Sequence, residues 1–359
     1  MKSKFKKIIG VCLSMILTCS LSLPVYAKQP DYEFDKQTGH LTIKDGVTCI
    51  DECKFNRKGI ISITIPDSVE IIDNFAFADC TDLTEIIIPN SVTKIGKGAF
   101  QGCTNLTSVT IGNGLKEIGF DVFYRCESLT FISVDEENQN FKSIDGVLFS
   151  KDMTTLVRYP NGKKATNYTI SDDVKEIGKG AFADCTSLTF VTIPNSIEKI
   201  SNVAFEDCTG LTLVTIPNSV KEIGFGAFSG CTGLVSITIP DNVKNIGGSA
   251  FQGCTGLTSV TISNRVKQIK DGTFKNCTNL ASITIPNSVT KICGGWSGGA
   301  FENCTGLTFV TIPNSVKKVE DYAFQGCTGL TEIDIQNSST EVAGNAFDGC
   351  TGVCFSFQK

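Results

Sequence analysis

Cysteine is the residue type in this chain most able to do chemistry, and its spacing restricts which chemistry. Seventeen cysteines occur in 359 residues. Eleven of them form one series, mostly at intervals of 23: Cys80, Cys103, Cys126, Cys185, Cys208, Cys231, Cys254, Cys277, Cys304, Cys327 and Cys350. Cysteines at equivalent places in stacked coils lie about 4.8 Å apart with parallel side chains. A disulfide needs converging side chains with Cβ atoms about 3.8 Å apart. One column of ligands also cannot surround a zinc ion tetrahedrally. The spacing therefore predicts a row of buried thiols, with Cys103, Cys231 and Cys254 in its core, because a free thiol packs as a small hydrophobe. Cys49/Cys53 and Cys350/Cys354 stand at the two ends of the row and are the candidate disulfides.

Other chemistry is sparse. His40 is the only histidine and lies ahead of the repeats, so no Ser–His or Cys–His nucleophile pair is expected in the array. The adjacent carboxylates Asp172-Asp173 and Glu136-Glu137 read as solvated loop residues. The chain has no glycine-rich phosphate loop, no HExxH helix and no spaced Cys/His cluster. It also lacks the calcium-binding nonapeptide of other solenoids. The expectation is a non-enzyme with no catalytic residue, no metal and no cofactor.

The elements that position the cysteines are the repeats themselves. Residues 211–233 read LTLVTIPNSVKEIGFGAFSGCTG, and the same pattern starts at Ile60, Leu83, Leu106, Leu188, Leu234, Leu257, Leu280, Leu307 and Leu330. A period of this length marks a solenoid whose units bury their apolar sides only against each other. Val214 and Ile216 alternate as in a strand and point inward. Pro217 ends strand pairing, and Asn218-Ser219 supplies turn chemistry. Ala227-Phe228-x-x-Cys231 reads as about one helical turn with its apolar side inward. Phe100, Phe228 and Phe251 belong to a column of phenylalanines at the cysteine period, expected in the core.

Two places break the rhythm. A 36-residue unit at 129–164 contains GVLFSKDMTTLVRYPNGK, which reads as a hairpin over 147–159 that leaves the stack. A four-residue insertion near 293–299 carries the single tryptophan, Trp296. Insertions in repeat arrays map to loops that often bind, which makes Trp296 and Tyr159 alternative contact residues.

The first 27 residues have the parts of an export signal: a lysine-rich head, an apolar run from Ile8 to Leu23 and a small-residue cleavage site ending at Ala27. The run is short for a membrane span, so contact with the membrane is expected only during export. Residues 28–59, with YEFDKQTGHLTIKDG, read as an N-terminal cap hairpin, 60–352 as the solenoid and 353–359 as its end. Thirty-two basic against 37 acidic residues, a net charge of −5, do not suggest nucleic-acid binding.

With the repeat laid out as Leu-x-x-Val-x-Ile-Pro-Asn-Ser-Val-x-x-Ile-Gly-x-x-Ala-Phe-x-x-Cys, residues 60–352 resemble the BspA-type leucine-rich repeat proteins of bacteria. The resemblance implies an α/β repeat fold: a right-handed leucine-rich-repeat solenoid of 23-residue units, with a parallel β-sheet face and short helical turns. It also implies a secreted or cell-surface protein that adheres to a protein of a host or neighbouring cell.

The outward strand positions supply the candidate face. One column holds Phe131, Phe190, Leu213 and Phe309 among serines, and the next holds Thr192 and Thr215 in a run of threonines. Exposed aromatics on a regular sheet suggest a protein-binding surface. The alternatives are a passive structural spacer of the cell surface, or glycan or polyanion binding by the lysine column Lys116, Lys175, Lys221, Lys244, Lys267 and Lys317.

Overall fold

The repeat folds as stacked coils, each joined to the next by three hydrogen-bond ladders. The structure, a computed structural model, describes residues 31–55 and 59–357; the expected export signal, 1–27, lies outside the described residues. From Tyr32 onward the chain forms one compact unit.

The first ladder is a front sheet built from the Leu-x-x-Val-x-Ile segments. Nine parallel strands run from Asn167–Thr169 to Cys354–Phe357, with each residue opposite its repeat equivalent. Ahead of them stand three parallel strands, Glu85–Ile88, Ser108–Ile111 and Phe131–Val134. The antiparallel hairpin of Tyr32–Asp35 and His40–Ile43 pairs in turn with Ser62–Thr64. The second ladder is a back sheet of two-residue strands such as Lys199–Ile200 and Glu222–Ile223, whose isoleucines point inward.

The third ladder replaces the expected helical turns. None of the described residues is helical. In the Ala-Phe-x-x-Cys segment the Phe N–H bonds the carbonyl of the next coil, as in Phe205 N to Ala227 O at 2.7 Å and Phe228 N to Ala250 O at 2.8 Å. Two residues per coil take left-handed backbone angles. One series includes Gly98, Asp121, Gly180, Val203 and Gly226, and the other includes Gly102, Arg125, Asp184, Asp207 and Gly230. A right-handed helix cannot run through such positions, so the segment closes as successive turns in which alternate amide protons go to the next coil, while those between them, such as Glu206 N to Val203 O, stay within the turn. The fold is thus a parallel-strand leucine-rich-repeat solenoid without the helical element.

Between the ladders the phenylalanines stack almost parallel. The centroids of Phe205 and Phe228 lie 5.1 Å apart at 2°, and those of Phe228 and Phe251 lie 5.4 Å apart at 1°. Phe100 continues the column nearer the N-terminus, between Phe77 and Phe123. All are fully buried, as are Cys103, Cys231 and Cys254 beside them. Truncating an interior ring to alanine removes contacts on both sides, at about 3–5 kcal/mol.

The 36-residue unit does not leave the stack. Val147–Ser150 pairs antiparallel with Phe141–Ile144 and Thr155–Arg158, and Thr155–Arg158 then pairs in parallel with Glu176–Ile177 of the back sheet. Both faces of Val147–Ser150 are buried: Leu148 packs with the core on the N-terminal side, Val147 and Phe149 with the core on the C-terminal side. The hairpin is a wedge between two blocks of coils. Tyr159, expected at a surface, is 1% exposed and stacks on Phe182 at 5.4 Å. Its N–H bonds Ala181 O at 2.8 Å, the bond a repeat phenylalanine makes. Tyr159 is the phenylalanine of a coil that lacks one, and its ring is unavailable to a partner.

All fifteen cysteines among the described residues are free, including Cys49, Cys53, Cys350 and Cys354, so neither candidate disulfide is formed.

Candidate functional site

The front sheet places the predicted contact residues at measurable separations. Phe190 and Leu213 are direct partners on adjacent strands. Phe190 is half-buried, whereas Leu213 is 47% exposed. Thr192 and Thr215 lie exposed two residues further along, Thr192 at the end of its strand and Thr215 just past its own. Phe309 is exposed in the same row, but Ser236, Ser259 and Ser282 stand between it and Leu213. Four strand spacings put it about 19 Å away. Phe131 is exposed on the separate three-stranded part of the front sheet, where its ring lies over Gly146. The six residues therefore form one compact group of four, Phe190, Leu213, Thr192 and Thr215, with two outliers, not one patch.

Sequence reasoning missed the neighbour that enlarges the pair. Val235, 50% exposed, follows Leu234 where Thr189, Thr212 and Thr258 occupy the same place in other coils. Val235 precedes Ser236, the register partner of Leu213, so Phe190, Leu213 and Val235 occupy three consecutive coils of a face whose other exposed positions are mostly Ser and Thr. The signal was a valine in a threonine column. Trp296 is fully exposed at the insertion, as expected for a loop.

The expectation for His40 needs correction. Parallel pairing of His40–Ile43 with Ser62–Thr64 puts Nδ1 2.7 Å from Ser62 Oγ and Nε2 3.1 Å from Thr64 Oγ1. A Ser–His contact does exist at the edge of the array. A hydroxyl occupies each ring nitrogen and no carboxylate bonds either one, so the arrangement lacks the group that orients a catalytic imidazole.

The hairpin wedge creates the most unusual polar cluster. In a regular coil the cysteine thiol donates to the phenylalanine carbonyl of the coil before, as Cys126 Sγ does to Phe100 O at 3.1 Å. The 36-residue unit has no such cysteine, and buried Arg158 takes over. Its guanidinium donates to Phe123 O at 3.0 Å, Ala183 O at 3.1 Å and Gly180 O at 2.6 Å. The unit also lacks the outer turn, so Tyr124 and Arg125 reach across it. Tyr124 OH donates to Asp207 at 3.3 Å and Arg125 N–H to Asp184 at 3.0 Å. Burial, reinforced by Asp207, Asp121 and Asp184, pushes the Glu206 carboxyl up to about 7. Burial likewise raises Asp121 and Asp184. Beside this seam a cleft of about 530 Å³ is lined by Phe120, Phe141, Val157, Arg158 and Lys179, with Lys179 Nζ 3.2 Å over the Phe120 ring.

These coils are those of a bacterial repeat family. The family described as the BspA-type leucine-rich repeat region (six copies) matches residues 30–155, 159–237, 201–298 and 296–359, and the chain belongs to it. No curated protein sequence matches the chain. Among solved structures, a leucine-rich repeat protein from Eubacterium ventriosum is 22% identical, with 90% of this chain and 93% of that chain covered and a TM-score of 0.61. The pneumococcal vaccine antigen PcpA is 23% identical over 91% of this chain and 82% of that one, at a TM-score of 0.58. A leucine-rich cell surface protein from Faecalibacterium prausnitzii is 25% identical over 91% and 93%, at 0.51. All share the fold.

Proposed function

We propose that the protein is a non-enzymatic, exported interaction module that binds a protein of a host or neighbouring cell through its front sheet. The observation that carries this reading is the apolar group Phe190, Leu213 and Val235 on an otherwise hydroxyl-rich face. Leu213 and Val235 stand 47% and 50% exposed beside the half-buried Phe190, and apolar surface gathered in this way on a polar face is the profile of a contact surface. Family membership and the cell-surface description of the Faecalibacterium prausnitzii structure support a location outside the cell. The basic and apolar segment at 1–27 supports export.

The test is a pull-down of extracellular-matrix and plasma proteins with the exported chain, beside a Phe190→Ser/Leu213→Ser variant of unchanged circular dichroism. Loss of a partner in the variant places the contact on this face. Retention of every partner moves it to the Trp296 loop, and no partner for either protein favours a structural spacer.

A further inference from the structure

The back ladder has a second break, without any insertion to force it. Away from this place and the hairpin wedge, each back strand is fastened to the coil before it by two flanking bonds. Lys244 N donates to Lys221 O at 3.0 Å and Gly247 N to Ile223 O at 2.8 Å; Thr290 N donates to Lys267 O at 2.9 Å and Cys293 N to Ile269 O at 2.8 Å. Between Asn245–Ile246 and Gln268–Ile269 neither equivalent forms. The seven-stranded part of the back sheet ends at the first strand and a four-stranded part begins at the second. The amide protons of Lys267 and Lys270, which would complete the ladder, have no backbone acceptor.

A groove of about 590 Å³ opens at this seam. Lys244, Arg265, Lys267 and Lys270 line it together with Asn264 and Gln268, and no carboxylate does. None of the four cations is ion-paired among the described residues, whereas Lys221, Lys291 and Lys318 on the same face are bound to Glu198, Glu320 and Glu341. A residue exchange places the guanidinium there. In the neighbouring coil Ser288 Oγ donates to Val266 O at 2.7 Å. In the coil at the seam that bond comes from buried Ser263, which stands where Pro240 and Pro286 stand and donates to Val243 O at 2.7 Å. The position two residues later is released from that task, and Arg265 occupies it.

We propose that this groove binds a run of anionic polysaccharide, a sugar chain bearing carboxylate or sulfate groups. Four unpaired cations spread over two coils match charges repeated along a chain, and a charge-assisted bond is stronger than a neutral one. The carboxamides of Asn264 and Gln268 and the free amide protons match ring hydroxyls. The lining offers no exposed aromatic or aliphatic pocket for the anchor residue of a peptide. The site is on the opposite sheet from the apolar group above and stands independently of it.

The test is calorimetric titration of the full exported chain with heparin and with polygalacturonate, at low and physiological salt. The groove variant is Arg265→Ser/Lys267→Thr, in which position 265 regains the serine of other coils. A control, Lys175→Thr/Lys317→Thr, removes the same charge from the same lysine column elsewhere. Binding of at least one polysaccharide should weaken by about tenfold or more in the groove variant and by less than about twofold in the control. Polyglutamate should not compete. Equal losses in both variants, displacement by polyglutamate, or no binding of either polysaccharide by the native chain would overturn the proposal.

Discussion

The Sγ of Cys231 donates to the carbonyl oxygen of Phe205, one coil earlier, at 3.1 Å. The same oxygen accepts the N–H of Cys208 in its own coil at 3.3 Å. Repeated down the column, by Cys208 to Phe182 at 3.0 Å and Cys254 to Phe228 at 3.1 Å, this bond stitches the coils together through their apolar centre. A thiol suits the place because it is both a small hydrophobe and a weak donor.

These thiols make the protein sensitive to alkali. Burial pushes Cys126 and Cys254 up to about 12, from an ordinary value of 9.0. Above pH 9 the unfolded chain releases these protons and the folded one keeps them, so stability falls as pH rises. Each such thiol contributes a slope of about 1.4 kcal/mol per pH unit from pH 9 toward 12. Thermal melting followed by circular dichroism should show a midpoint that drops steeply above pH 9, beyond any loss seen between pH 7 and 8.

Arg158→Met should destabilise the seam by roughly 3 kcal/mol, since three buried carbonyls lose a charged donor while the apolar stem is kept. Arg158→Lys should recover only part of this, because one ammonium cannot reproduce the planar fork. Urea melts give the totals. Hydrogen exchange should localise the loss to residues near 123–126 and 180–185.

Glu206→Gln should stabilise the protein at pH 8, with the gain fading by pH 5. The folded carboxyl titrates near 7 against 4.5 for a free one. The folded state therefore holds its proton more tightly, and charging it between those values costs stability as pH rises. Melting temperatures of both proteins at pH 5 and pH 8 check the sign.

Val203→Asn should raise stability by about 1 kcal/mol, measured by urea denaturation. Val203 has φ of 50°, a left-handed angle that Gly98, Gly180 and Gly226 adopt in other coils. A branched side chain is strained there, and asparagine tolerates the region better. An unchanged midpoint would mean that the valine side chain packs well enough to offset the strain.

The sequence by itself determined the solenoid, its period, its inward columns and the family. Those follow from hydrophobic spacing, which is local: Val214, Ile223, Phe228 and Cys231 can face only one interior when the pattern recurs every 23 residues. The tertiary structure decided what local spacing cannot express. The apparent helical turn at Ala227-Phe228-x-x-Cys231 became a ladder because its alternate amide protons found carbonyls one coil away. Tyr159 and the 147–159 hairpin went inside because two blocks of coils needed a wedge between them. The seam at Asn245–Ile246 and the adjacency of Phe190, Leu213 and Val235 depend on register between coils, a relation among residues 23 positions apart that no single repeat contains.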